Sequence, residues 1–252
     1  YGDTTYYYRG AVTNNYVSFA NKTWRIIRIN GDGTVRMILD DFTNTTGSVW
    51  NANYLSTNNT GLTYITYSNS TIKGNVETWY NTNIGNNATY SSKVSTTKFC
   101  SDKSPVTSWT GSRQYFGPST RLAGEGAWNS INASPIMTCP SASNIYNLNV
   151  GLITADEAAF AGSGYNLTYQ NYYLYNLTLT TPTYWWTLSP NLWDTDGSFS
   201  AFIISSANGF FTVYGLNSVR GVRPVISLNS DITVTTASPT NPGTSSNPYI
   251  VE

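Results

Sequence analysis

Apolar and polar positions alternate over short stretches from the N-terminus onward, with the period of β-strands. Tyr6-Tyr7-Tyr8-Arg9-Gly10 and Tyr16-Val17-Ser18-Phe19 are β-rich and are divided by the turn-like Thr13-Asn14-Asn15. Residues 23–29 and 34–39 flank Asn30-Gly31-Asp32-Gly33. The Asn-Gly and Asp-Gly pairs supply the positive φ angles of a tight hairpin. On the first of these strands, Trp24, Ile26 and Arg28 fall on one face and Arg25, Ile27 and Ile29 on the other. The alternation is imperfect, so both faces are expected to be partly buried.

Two segments carry a helical period instead. Between Thr71 and Ile84, the residues Ile72, Val76, Trp79, Tyr80 and Ile84 form one apolar stripe. Thr154-Ala155-Asp156-Glu157 is a capping-box pattern, and the short helix it opens is expected to stop at Ala161-Gly162-Ser163-Gly164. From Asn86 to Val150 the chain is rich in Ser, Thr, Pro and Gly with isolated aromatics, which reads as long ordered loops and short strands. The stretch from Ser238 to Ser246 reads as a linker or terminal extension leading to a final strand, Tyr249-Ile250-Val251. Two helices among many short strands and long loops predict an α+β domain over residues 1–230, with 231–252 as a C-terminal extension.

Composition narrows the function classes. Thirteen basic and thirteen acidic residues cancel, and only 10% of the 252 positions are charged. No basic stripe exists, so no nucleic-acid partner is expected. No apolar run of about 18 residues exists either, so any membrane attachment is expected through an N-terminal anchor missing from this sequence. Histidine is absent, which removes the commonest general base and the commonest zinc ligand. The two cysteines, Cys100 and Cys139, are too few for a thiolate metal site. They are expected to form a disulfide, with two buried thiols as the alternative. Closing a loop of about 40 residues would stabilise the fold by roughly 3–4 kcal/mol.

The last quarter of the chain carries the candidate chemistry. Tyr184-Trp185-Trp186-Thr187-Leu188-Ser189-Pro190 opens it, and Gly221-Val222-Arg223-Pro224-Val225-Ile226 closes it. Between them, Asn191, Trp193, Asp194, Asp196, Ser198, Phe202, Asn208, Phe210 and Tyr214 are the aromatic and small polar types that contact ligands at low entropy cost. Residues 191–217 are therefore the expected ligand-binding surface. Phe202, Ile203, Ile204, Phe211 and Val213 would supply the inward face of the same two strands. Arg223, set in an apolar strand, is expected to be an internally bonded framework residue.

Trp185-Trp186-Thr187-Leu188-Ser189-Pro190, followed some thirty residues later by Gly221-Val222-Arg223-Pro224-Val225, resembles the C-terminal signature of C-type-lectin-fold domains on bacterial surface proteins. Many of those sit behind a prepilin-like helix, and the family includes variable proteins diversified by retroelements. Residues 23–33, Phe99-Cys100-Ser101-Asp102 and Gly151 to Glu157 are similar to further landmarks of the family. The resemblance implies a C-type-lectin-like fold at the cell surface, with short twisted antiparallel strands and varied binding loops. Calcium-dependent lectins of this fold use a Glu-Pro-Asn or Gln-Pro-Asp tripeptide. Only Ser189-Pro190-Asn191 comes near it, so Asp194 and Asp196 are read as an acidic turn and no metal is expected.

Formylglycine-generating oxidases share this general fold but need a cysteine pair late in the domain, and no Cys follows Cys139. The expectation is therefore a non-catalytic, cofactor-free binding module that meets a protein or glycan ligand at the cell exterior. A subunit of an extracellular filament, self-assembling through like faces, and a carbohydrate lectin are the alternatives.

Overall fold

A computed structural model describes residues 4–52, 65–106, 113–123, 133–166, 171–175, 182–194 and 199–252. The chain is a sheet-rich mixture of strands and a few short helices. The large sheet is built from β1 (Tyr6–Tyr7), β2 (Tyr16–Phe19), β3 (Lys22–Ile29), β4 (Val35–Leu39), β11 (Val225–Leu228), β12 (Val234–Thr235) and β13 (Tyr249–Val251). Its order is β11-β4-β3-β2-β13-β12, with β1 beside β2 along the same side of β3. A second sheet has the order β10-β9-β8-β6, from β6 (Arg113–Tyr115), β8 (Tyr184–Asp194), β9 (Phe199–Ser205) and β10 (Phe211–Gly215). A two-stranded ribbon pairs β5 (Thr97–Cys100) with β7 (Ile145–Leu148). The helices are α1 (Thr71–Tyr80), α2 (Ala88–Ser91), α3 (Gly117–Ala123) and α4 (Ala155–Ala161).

The locally encoded elements form where their residues place them. The β3–β4 hairpin closes through Gly33 N–H on the Asn30 carbonyl at 2.8 Å, with Gly33 at φ +83°. Helix α1 buries Ile72, Val76 and Tyr80, and Ile84 follows in a π turn at Asn81–Gly85. The Thr154 hydroxyl accepts from Glu157 N–H and the Glu157 carboxylate from Thr154 N–H, completing the capping box of α4. Cys100 and Cys139 are joined by a disulfide.

Three expectations change. First, β3 carries an irregularity between Ile26 and Arg28: Ile26 lies opposite Met37, yet Arg28 lies opposite Arg36. The extra residue turns Arg28 onto the face of Arg25, away from Trp24 and Ile26. Second, the region from Asn86 to Val150 also holds helices α2 and α3. Third, the Pro- and Ser-rich extension folds onto the domain rather than trailing as a linker. Its β13 runs parallel to β2, and the Asn247 amide donates to the carbonyls of Ser238 and Thr240.

Four tryptophans plug the core. Trp24, Trp50, Trp185 and Trp186 are all essentially fully buried. Three indole N–H groups donate to main-chain carbonyls among the described residues: Trp24 to Phe19 O, Trp50 to Thr187 O and Trp186 to Ser48 O. Buried indoles need such partners to avoid a desolvation penalty.

Candidate functional site

The segment expected to bind ligand forms β8, β9, β10 and their connections, and most of it is interior. In β9 every residue except Ser200 is buried. One face of this sheet is covered by Tyr165, whose ring lies 6.4 Å from Phe202 and 6.1 Å from Phe211. The other is covered around Trp186, which reaches Ser48 O at 2.8 Å. A strand sandwiched on both sides cannot offer alternate residues to solvent.

Several candidate contacts are corrected accordingly. Phe202 is fully buried core. Asn191 is buried as well: its carbonyl and side-chain oxygens accept from Ser119 Oγ at 2.6 and 2.7 Å, and its amide donates to Ser200 Oγ at 2.9 Å. It ties α3 to β8, so its polar atoms are spent inside the fold. Asp194 is 3% exposed and accepts from Arg113 Nε at 2.6 Å. Trp193 is half-buried and packs against the core. Asp196 and Ser198 lie outside the described residues. Asn208 and Tyr214 are exposed and Phe210 is half-buried.

What this sheet does present is a rim. Tyr184 and Tyr214 share the face that Trp186 occupies, at its uncovered margin, and their rings approach to 5.7 Å. The Arg220 guanidinium lies over Tyr214 at 4.1 Å and within 5.6 Å of Tyr184. Its position is set by main-chain bonds in both directions with Ser48, at 2.7 and 2.9 Å, and by Nη1 donating to Val219 O at 2.8 Å. Val219 beside it is among the most exposed large apolar residues. At the end of the same sheet, the β9–β10 turn bearing Asn208 is pinned by Ser163 Oγ and Tyr172 Oη, which both donate to Gly209 O. Sequence reasoning did not single out Arg220. The available signal was a lone arginine next to an apolar residue, Val219-Arg220, in a chain with few charges.

A second concentration of chemistry lies beneath α4. Arg28 and Arg36 face each other across β3 and β4, an arrangement that is repulsive by itself. Glu157 Oε1 resolves it, lying 2.7 Å from Arg36 Nε and 3.1 Å from Arg28 Nε. Burial pushes the Glu157 carboxyl up, but the two arginines and Thr154 N–H outweigh it and hold it below its ordinary range. Next to it, Arg121 grips Asp156 with two bonds of 2.7 Å and Asp102 with one of 2.6 Å. The cavity over these groups is about 20 Å³, room for a single water rather than an organic molecule. The cluster clamps β3, β4, α3 and α4 together.

Arg223 is 1% exposed and donates to Leu39 O at 2.9 Å and Leu174 O at 3.2 Å, while stacking 4.8 Å from Trp185. Among the described residues no group of three or more acidic, Cys or His side chains is placed to hold a metal ion. No helix among them is long and apolar enough to cross a membrane. Comparison of the chain with family models, with curated proteins and with solved structures finds no match.

Proposed function

We propose that this chain is a non-catalytic ligand-binding module of an extracellular protein, built on a C-type-lectin-like framework. Its contact surface is the rim of Tyr184, Tyr214 and Arg220, with Asn208 and Phe210 at the end of the same sheet. The observation that carries this reading is the Arg220 guanidinium stacked on the exposed Tyr214 ring, with the half-buried Tyr184 ring beside it. Such a stack sets an aromatic face beside a cationic group, and tyrosine and arginine are, with tryptophan, the residues enriched at binding hot spots. The disulfide is compatible with an oxidising exterior, and the aromatic-rich, charge-poor composition suits recognition by rigid amphipathic side chains. The positions suited to diversification under this reading are the exposed rim residues, since the interior of β8 and β9 is committed to the core.

The test is a screen of the chain against arrayed glycans and extracellular protein domains, with every hit repeated using Tyr214→Ser and Arg220→Ala. Loss of the hits in both variants, with melting unchanged, is expected. Hits indifferent to both variants would move recognition off this rim, and arrays without hits would count against a binding role.

A further inference from the structure

A cleft of about 370 Å³ opens between the end of α1 and the β5–β7 ribbon, and none of the expected ligand-binding residues lines it. That size lies within the roughly 300–1,000 Å³ of small-molecule sites. Its polar lining is amide-rich: Asn81 from the π turn, and Asn147 and Asn149 from and just beyond β7. Thr96 Oγ1 donates to Asn149 Oδ1 at 2.5 Å, which engages the oxygen of that carboxamide and not its NH₂. Asn81, Asn147 and Asn149 are all exposed. Among the described residues, the side chains of Asn81 and Asn147 make no hydrogen bond to protein. Leu148, Val150 and the edge of Tyr80 supply the apolar part of the wall.

The way the wall is built points to a ligand rather than to incidental surface. Helix α1 passes into a π turn at Asn81–Gly85, a geometry that recurs at functional sites because it re-aims side chains. Gly85 lets the Asn81 side chain lie close against the turn. A Cβ there would lie 2.7 Å from Asn81 Oδ1 and 3.0 Å from Tyr80 Cε1. The turn and its glycine thus leave room for the Asn81 amide and the Tyr80 ring, both of which line the cleft.

The charge of the lining selects the ligand class. The single carboxylate, Glu77, is paired with Lys73 at 2.6 Å. The cleft is thus close to neutral: no basic side chain lines it, and its one carboxylate already has a partner. Carboxamides both donate and accept, which matches hydroxyl groups, each of which also does both. We propose that this cleft binds a neutral, hydroxyl-rich ligand of one or two sugar rings. The site is separate from the Tyr184–Tyr214–Arg220 rim and does not rest on it.

The experiment is two-dimensional NMR of the side-chain amides during titration with neutral saccharides (glucose, galactose, mannose, N-acetylglucosamine, lactose and maltose), alongside glucuronic acid and glucosamine as charged probes. At least one neutral sugar should shift the amide signals of Asn81, Asn147 and Asn149, with the charged probes weaker. Asn81→Ala combined with Asn147→Ala should weaken that sugar about tenfold or more with melting unchanged, as loss of two hydrogen-bonding groups implies. Gly85→Ala, which crowds Asn81 without removing it, should weaken it in the same direction. If no neutral sugar moves these amides, or if the shifts map to Tyr184, Tyr214 and Arg220 instead, the proposal is overturned. The second of those results would leave the rim intact as a binding surface.

Discussion

Two carboxylates serve the arginine-lined side of the large sheet, and they are held very differently. Glu157 is 3% exposed, with guanidinium nitrogens at 2.7 and 3.1 Å and a backbone N–H at 2.9 Å. Asp40 has its nearest guanidinium nitrogens, from Arg223 and Arg25, at 3.8 and 3.9 Å, and its side chain is 19% exposed. Burial pushes both carboxyls up. At Glu157 the arginines and the N–H reverse that push; at Asp40 the attraction of Arg223 and Arg25 falls short, and the carboxyl stays raised. Opposite charge nearby is therefore not sufficient. Contact close enough for hydrogen bonding is what offsets desolvation, as the general behaviour of buried pairs requires.

The sharpest way to break this contrast is Glu157→Gln. It keeps the shape and leaves Arg28 and Arg36 opposed with no counter-charge, so it should cost about 3–5 kcal/mol in chemical denaturation. A loss below about 1 kcal/mol would mean that packing, not charge, holds this end of the sheet. Replacing Cys100 and Cys139 by Ser should cost roughly 3–4 kcal/mol. It should loosen the same end, because Ile136, three residues before Cys139, donates its N–H to Asp156 at 3.0 Å. Hydrogen exchange of the Ile136 and α4 amides would report this.

Acid titration separates the two carboxylates by sign. Glu157 has a folded value below its ordinary 4.5, so its contribution is fully present above about pH 4.5 and is lost as pH falls below that. Asp40 has a folded value above its ordinary 3.8, so its contribution improves as pH falls through that folded value. Melting followed from pH 7 into this range should therefore fall less steeply in Glu157→Gln than in the parent, and more steeply in Asp40→Asn. The smallest effect is that of Asp40→Asn at neutral pH, under about 1 kcal/mol, because Arg25 keeps Asn15 Oδ1 and Val12 O and Arg223 keeps its two carbonyls. A loss matching that of Glu157→Gln would erase the distinction.

Elements whose instructions are local were legible in the sequence. The hairpin at Asn30–Gly33, the stripe of α1, the capping box at Thr154–Glu157 and the internal role of Arg223 all follow from neighbouring residues. Helix α3 carried a signal that went unused, Pro118 in its first turn. The irregularity in β3 was not legible, because it is set by register against β4 and by the need to bring Arg28 to Glu157, 129 positions away in sequence. The same holds for β9. Its alternation predicts one outward face, but Tyr165 on one side and the Ser48–Trp50 segment on the other arrive from distant parts of the chain. The quoted motifs at residues 23–33, 99–102 and 151–157 proved to share a location. They converge on the charged clamp under α4, so they encode framework, while the rim and the amide-lined cleft fall outside them.

The disulfide also changes what a broken backbone would mean. A single cut anywhere between Cys100 and Cys139 would leave two polypeptides that remain one covalent molecule. Helix α3, with Arg121 bound to Asp102 on one piece or Asp156 on the other, would stay within reach of its partners. Fragments from such a cut should co-migrate until a reductant is added, and the protein's topology is in this respect tolerant of damage that would dismantle an uncrosslinked chain.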